Sequence, residues 1–470
     1  MLEFSFRKLS DSEGNMVARL AEKAHLSTKG LIGNIKNIFN KVKEPLKGGQ
    51  GQSQKISITD CLTSALAIFK LKFPSLLQFD DAKEDEHIKQ NLKNLFGLER
   101  VPSDTYMRER LDEVNPRDLR PAFTSVFSAL QRGKQLEKLV FLDGKYLLLN
   151  DGTGFFSSKK IHCENCCEKH HKKDGTISYY HQMLGAAIAH PDFKEVIPIC
   201  PEPIMKEDGA KKNDCERNAS ERLLRDFRRE HPHLPIIVVE DALSSNGLHL
   251  KLLRELSMSY ITVVKPDGNK FLFNWVESFD WGEDLSKRDE SQGEFSFVDH
   301  LGKMHKYRFV NQVPLNDTHK ELKVNFIEYW EISKEGKTLY HNTWITDMVI
   351  TETNAYEIAR GGRARWRIEN ETFNTLKNQG YHFEHNFGHG YKHLSTVFAM
   401  LMMLAFLIDQ TEQLCCGLFQ GALKKLKSKK SRLWRQIRGF FEFHVITSWE
   451  ALYRAIIEGA GSYVAVIDTS

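Results

Sequence analysis

No run of apolar residues in this chain is long enough for an ordinary membrane span. The longest, Ser395 to Ile408, falls short of the roughly 20 residues a spanning helix needs and reads as a buried core helix. The opening Met1-Leu2-Glu3-Phe4-Ser5-Phe6-Arg7-Lys8 lacks the basic start, apolar middle and small-residue cleavage site of a secretory signal. Cysteine is scarce, eight in 470 residues, and much of it crowds into one cluster with no even disulfide framework. A reducing cytoplasm is therefore the expected compartment, with no membrane partner. One-sided charge is missing too. A formal net charge of +4 does not establish nucleic-acid binding, so any DNA surface must come from local clusters of Lys and Arg. With 41% hydrophobic and 27% charged residues, the composition suits a soluble globular chain.

Proline and glycine are also absent from Arg363 to Gln379, and Gly380 follows as a stop, so this stretch is expected to be one helix. At about 100° per residue, Trp366, Phe373 and Leu376 share one apolar stripe. Glu369 falls inside that stripe, with Arg365 one turn before it and Lys377 near its edge. Glu371 points to the other side, beside Arg367 and Asn374. A carboxylate on a buried helical face is costly unless a cation or metal compensates it. Glu369 therefore either pairs with Arg365 to hold the helix or belongs to a site.

Residues 1–135 read as a helical N-terminal region with a DNA-binding module or a solvated scaffold. Segments Ser57–Phe69, Asp85–Phe96, Asp104–Leu111 and Arg120–Arg132 have helical spacing, and Gly48–Ser53 reads as a flexible link. Strands are expected at Lys138–Leu142 and Tyr146–Asn150, joined around Asp143-Gly144, then at Tyr179–Ala189 and Glu195–Ile199. Asp143 is explained by its Asp-Gly turn. Asp151 ends an apolar run and precedes Gly152-Thr153-Gly154, where backbone can open toward a ligand. Leu234 to Asp241 is a buried strand ending in acid, before the helix His249–Leu256. A carboxylate at such a strand tip is a favoured place for a site, although an ordinary strand-end Asp also fits. Glu240 should point the opposite way from Asp241.

Between these acids lies His162-Cys163-Glu164-Asn165-Cys166-Cys167-Glu168-Lys169-His170-His171. Cys163, Cys166, Cys167 and His170 could hold a structural zinc, or the segment is a turn with reduced thiols; Cys200 and Cys215 could join only through folding. The arginine-rich helix Asp214–Glu230 reads as a solvated face balanced by Glu216 and Glu221. From Tyr260 to about Thr351 short strands alternate, including Phe271–Phe273, and form a β-rich insertion. After the glutamate helix, the loop Gly380–His393 offers aromatics and histidines that could touch DNA. Lys424, Lys425, Lys427, Lys429, Lys430, Arg432, Arg435 and Arg438 make the densest basic run, read as DNA backbone contact.

Asp151-Gly152-Thr153, the Asp241 strand and Arg365-Trp366-Arg367-Ile368-Glu369 together resemble bacterial insertion-sequence DDE transposases of the Tyr-Arg-Glu-Lys signature branch. The likeness spans about Leu139 to Ile408 in the order of its parts. It departs from the signature at Gly362, where Tyr is usual, and at Lys377, which lies one residue late. The resemblance implies an α/β, RNase H-like mixed sheet flanked by helices, with a core in two parts, residues 136–260 and 351–410. The β-rich insertion, residues 261–350, separates them, and a basic helical region, 411–470, follows. It also implies a triad of Asp151, Asp241 and Glu369 holding magnesium, two ions, with manganese as a substitute. Arg365 and Lys377 carry over as phosphate or carboxylate partners, and the expected partner is double-stranded DNA bound by a homodimer. A metal-dependent nuclease without strand transfer and a non-catalytic DNA-binding regulator are the alternatives.

Overall fold

The computed structural model describes residues 25–45, 56–206, 213–279, 281, 291–459, 461 and 464–466. The opening residues, the 48–53 link and most of the acidic 277–294 loop lie outside the described residues.

A mixed sheet of eleven strands, flanked by helices, organises the chain. Its strands are β1 (Tyr146–Ser158), β2 (Cys167–His170), β3 (Ile177–Ala189), β4 (Ile197–Pro198), β5 (Glu202–Ile204) and β6 (Ile236–Glu240). They continue with β7 (Ser259–Val263), β8 (Gln292–Val298), β9 (Met304–Pro314), β10 (Lys323–Ile332) and β11 (Thr338–Thr346). The order is β2-β3-β1-β6-β7-β11-β10-β9-β8, with β4 and β5 paired to β3. Among the described strands, the neighbours that pair in parallel are β1 with β6 and β6 with β7. These are also the most apolar strands: Leu147–Leu149 and Ile236–Val239 are buried throughout, as strands covered on both faces must be.

Helices precede the sheet: α1 (Thr28–Phe39), α2 (Ile58–Lys70), α3 (Leu76–Ala82), α4 (Glu86–Phe96), α5 (Asp104–Asp112) and α6 (Arg120–Arg132). Ser57 caps α2 by accepting the Asp60 N–H, and Ser103 caps α5 by accepting that of Tyr106. Within and after the sheet come α7 (Glu216–Glu230), α8 (Gly247–Glu255), α9 (Lys270–Glu277), α10 (Ala355–Arg363) and α11 (Asn374–Asn378). The chain continues into α12 (Leu394–Cys415), α13 (Gly417–Lys425), α14 (Lys430–Phe443) and α15 (Trp449–Glu458). Among the described residues α12 alone has the length and apolarity of a membrane span, and it is buried inside the protein. It packs against α2, α5, α6 and β4. Lys70 pairs with Asp409 and Glu412 there, while Lys72 reaches Asp409 at 2.7 Å.

Three local expectations change. Lys138–Leu142 is not a strand: Leu136–Leu139 form a 3-10 turn, and Asp143 and Gly144 both take positive φ, 51° and 73°. That turn aims the chain into β1, which begins at Tyr146. Phe271–Phe273 belongs to helix α9, where Leu272 and Val276 are buried one turn apart; helical rather than alternating period governs the segment. Glu195–Ile199 contributes only the two residues of β4. The strands β8 to β11 extend the main sheet, since β11 runs beside β7 with Trp344 opposite Val263.

Candidate active site

The parallel register of β1 and β6 sets Tyr146 beside Ile236 and Leu149 beside Val239. Carried two residues further, it brings Asp151 level with Asp241, just past the end of β6. The alternation of a strand separates neighbouring side chains. Asn150 and Glu240 turn to one face, where Asn150 Nδ2 donates to Glu240 Oε1 at 2.8 Å. Glu240 is buried and also meets Ser220 and His249 Nε2, the latter at 2.6 Å. Burial alone would raise the Glu240 pKa, but the His249 imidazolium and these hydrogen bonds hold it below the ordinary carboxylate value. Glu240 is thus committed to buried contacts within the fold.

Asp151 is half-buried. Its Oδ1 accepts the Gly152 N–H at 2.9 Å, and its Oδ2 accepts from Arg365 Nη1 at 2.8 Å. Burial lifts its pKa, and the charge of Asp241 adds to that lift, against the lowering pull of Arg365. Asp241 caps the short turn after β6 through Oδ1 and the Leu243 N–H, 2.9 Å apart.

A third acid joins them that the sequence pattern did not single out. Glu216, in the first turn of α7, has its pKa raised by burial and by the charges of Asp151 and Asp241. Its approach depends on Gly152, where a Cβ would collide with the Glu216 carboxylate. Asn150, Asp151, Glu216, Glu240, Asp241 and His249 line one cavity of about 470 Å³. Glu216 therefore does not balance the arginines of its own helix. Arg222 pairs instead with Glu202 and Asp214, and Arg225 with Glu221 and Glu255. Position at a helix start was the only signal available for Glu216.

No protein-family model matches this chain, and no curated protein does.

The glutamate helix departs from the regular pattern. It breaks after α10 at Ala364–Arg365, and Ile368–Phe373 then form a π turn that runs into α11. A π turn inserts an extra residue and shifts the helical phase, often at functional sites. Ile368, Thr372, Phe373, Thr375 and Leu376 are consequently the buried side, whereas Trp366 and Glu369 are exposed. The placement of Glu369 within a buried stripe, with Trp366, is thereby corrected. Its carboxylate makes no hydrogen bond or ion pair with another side chain among the described residues. Arg365 holds Asp151 rather than Glu369. Arg367 is buried, and Glu371 is half-buried, with its charge felt by Arg367 and Lys430.

Phe373 seats the helix against β3. Its ring lies where a Cβ of Gly185 would stand, 2.7 Å from Phe373 Cε1, and Gly185 is the cross-strand partner of Asp151. Two close glycine approaches, at Gly152 and Gly185, thus bring α7 and the π turn to either side of the same strand position.

Lys377 pairs with Glu384 at 2.9 Å. Lys424, Lys425, Lys429, Arg432 and Arg435 are exposed and have no ion-pair partner among the described residues. Lys430 is half-buried; desolvation lowers its pKa despite the charge of Glu371. In the loop after α11, Tyr381, Phe383 and Phe387 are buried core residues, so they do not offer a face to DNA; Tyr391 is exposed.

The cysteine cluster also changes membership. Cys163 and Cys166 converge with His181 of β3 and His389 of the loop before α12, all four ligand atoms lying within 4.8 Å of one another. Cys167 instead points its Sγ at the Ile204 carbonyl, and His170 is exposed beside Glu168. Cys200 is buried against Pro201, and Cys215 is exposed before α7. None of these four belongs to the cluster. His181 and His389 are far from the cysteines in sequence and carry no local signal for it.

Proposed function

We propose that this protein is a DNA transposase with an RNase H-like core, cutting element ends and joining them to target DNA through Asp151, Asp241 and Glu369. The observation that carries this reading is that the adjacent parallel strands β1 and β6 bring Asp151 level with Asp241 just past the end of β6, with Arg365 of the glutamate helix bonded to Asp151.

The donor set fits hard divalent ions. Carboxylate oxygens are what magnesium or manganese prefers, and Asp151 and Glu216, whose pKa values are raised first by burial and then by neighbouring acid charge, are carboxylates that a dication would stabilise in ionised form. Asp151, Asp241 and Glu369 would hold two such ions. When bound, these supply positive charge for the attacking and leaving oxygens of an in-line displacement at phosphorus. The protein's own groups do the rest. Arg365 orients Asp151 and has further N–H donors for a phosphate. The exposed Lys424, Lys425, Lys429, Arg432 and Arg435, with Lys430, take the DNA backbone, and Lys377 adds a contact beside the glutamate helix. Water as nucleophile gives a nick; a DNA 3′-hydroxyl forms the new phosphorus–oxygen bond as the leaving 3′-oxygen departs, giving a strand joint. Strands β8 to β11 serve as the β-rich insertion of this core. The protein works in the cytoplasm as a homodimer on paired DNA ends.

Glu216 supports a variant of this reading in which it, rather than Glu369, is the third carboxylate. The deciding assay combines purified protein, magnesium, linear element ends and a supercoiled target. Joint molecules from the native protein, lost in Asp151→Asn, are expected. Cutting without joints would make it a nuclease. DNA binding that survives neutralisation of all three acids, with no cutting by the native protein, would make it a regulator.

A further inference from the structure

The Cys163, Cys166, His181 and His389 side chains meet with a geometry that their hydrogen bonding does not explain. Two sulfurs and two imidazole nitrogens converge on one point, with no carboxylate in the group among the described residues. The Cys163 and Cys166 sulfurs are 3.8 Å apart, so they are not bonded. His181 Nε2 lies 3.4 Å from each sulfur, and His389 Nε2 lies 3.4 Å from that of Cys166. The two Nε2 atoms are 3.2 Å apart.

A tetrahedral zinc with Zn–S of about 2.3 Å and Zn–N of about 2.0–2.1 Å fixes these separations. It sets S···S at about 3.8 Å, S···N at about 3.5 Å and N···N at about 3.3 Å. The five observed edges follow that pattern, longest between sulfurs and shortest between nitrogens. The surrounding contacts also suit metal ligands. His389 Nδ1 is 3.0 Å from the Gly390 carbonyl, so Nδ1 carries the proton and Nε2 presents its lone pair to the centre. The Cys163 backbone N–H points at Cys166 Sγ, 3.4 Å away, a donor that steadies a thiolate. Cys166, His181 and His389 are buried, and Phe155 and Phe156 of β1 pack on the two imidazoles.

We infer that Cys163, Cys166, His181 and His389 form a four-coordinate structural zinc centre that fastens the 379–393 loop to the β1–β3 pair. Four protein ligands leave no open position, which marks a structural rather than a catalytic ion. The ligands come from the segment between β1 and β2, from β3, and from the loop joining α11 to α12. The same strand β3 carries Gly185, the seat of Phe373. The centre therefore pins the chain just beyond the glutamate helix to the strand on which that helix rests. This inference stands on the cluster alone and is independent of any reaction at the acids.

The test begins with full-length protein purified under reducing conditions without added metal or chelator, and elemental analysis for all first-row transition metals. One zinc per chain is expected. Cys166→Ser and His389→Ala should each fall to near zero, while Cys167→Ser and His170→Ala keep one. Cobalt(II) exchanged into the native protein should give thiolate charge-transfer bands and the intense visible bands of a tetrahedral site, which needs no variant to fold. Chelation should speed tryptic cleavage at Lys392 at least tenfold. Folded, reduced protein that lacks zinc and gives no such cobalt spectrum would overturn the site. Zinc retained in folded His389→Ala, or unchanged cleavage at Lys392 on chelation, would overturn the clamp.

Discussion

Arg365 Nη1 stands 2.8 Å from Asp151 Oδ2, so the first strand acid is held by a cation from the glutamate helix. Both side chains are more than a quarter exposed, and solvent screens the pair. Arg365→Ala should therefore cost only about 0.5–1 kcal/mol in urea unfolding. Its larger effect is on titration, because the Gly152 N–H alone then opposes burial and Asp241 at Asp151. The pH midpoint of divalent-ion binding, followed by calorimetry, should move upward in this variant. An unchanged midpoint would detach Arg365 from the acid's ionisation.

The acid cluster has its own pH signature. Asp151 and Glu216 both have folded pKa values raised above those of the unfolded chain. In the window between the two values the folded state binds more protons, so stability falls as pH rises through it. Above the window both carboxylates remain a standing cost. Asp151→Asn should thus stabilise metal-free protein at pH about 7, and the gain should vanish by pH about 3, below the ordinary carboxylate value. Urea midpoints at the two pH values check this.

The His249–Glu240 pair behaves in the opposite sense. Burial pushes the His249 pKa down, but Glu240 outweighs it and the net shift is upward. The stabilisation from His249 is fully present below its unfolded pKa of about 6.5 and is lost as pH rises through the higher folded value. Glu240, with a depressed pKa, contributes above its unfolded value and loses that contribution as pH falls through the folded one. His249→Ala should cost roughly 3 kcal/mol near pH 6 by leaving Glu240 buried without its cation, and measurably less near pH 9.

Much of this site is legible from local rules, and the rest fails for identifiable reasons. Asp151 and Asp241 end apolar runs, and the parallel pairing of those runs is what brings them level. Ser395–Ile408 reads correctly as a core helix because it is apolar on every side. The phase of Glu369 was not legible, since counting about 100° per residue presumes an unbroken α-helix and the chain inserts a π turn at Ile368–Phe373. Cys163 and Cys166 are readable as a pair from their spacing. His181 and His389 reach them only because β3 and the loop before α12 meet in the fold. Glu216 looked like one charge among many on an arginine-rich helix; Gly152, across the sheet, lets it reach the aspartates.

Asp112 tests how the loop bearing His389 is anchored. Its carboxylate accepts the backbone N–H groups of Tyr391, Lys392, His393 and Leu394 at 2.8–3.0 Å, capping the start of α12. Those donors lie at the N-terminus of a helix, where a negative charge is also favoured. Asp112→Ala should destabilise the protein by about 2–4 kcal/mol, and Asp112→Asn by about half as much, in urea unfolding. Equal losses from the two would show that charge, not hydrogen-bond acceptance, dominates the cap.

Three glutamates, Glu216, Glu369 and Glu371, separate by substitution. Glu369 is exposed on the π turn and without a side-chain partner among the described residues, four residues from the arginine that holds Asp151, so it can accept an ion. Glu216 sits in the first turn of α7, where burial first and then the charges of Asp151 and Asp241 raise its pKa. Glu371 is half-buried and its charge acts on Arg367 and Lys430. With Glu369 as the third carboxylate, Glu369→Gln should abolish magnesium-dependent cutting while leaving binding of DNA ends within about twofold. Glu216→Gln should retain cutting within about tenfold and stabilise the metal-free protein. Glu371→Gln should spare cutting and cost about 0.5–1 kcal/mol, the scale of a partly exposed charge interaction. A folded Glu216→Gln protein that cannot cut, beside an active Glu369→Gln, would move the third carboxylate from the π turn to α7.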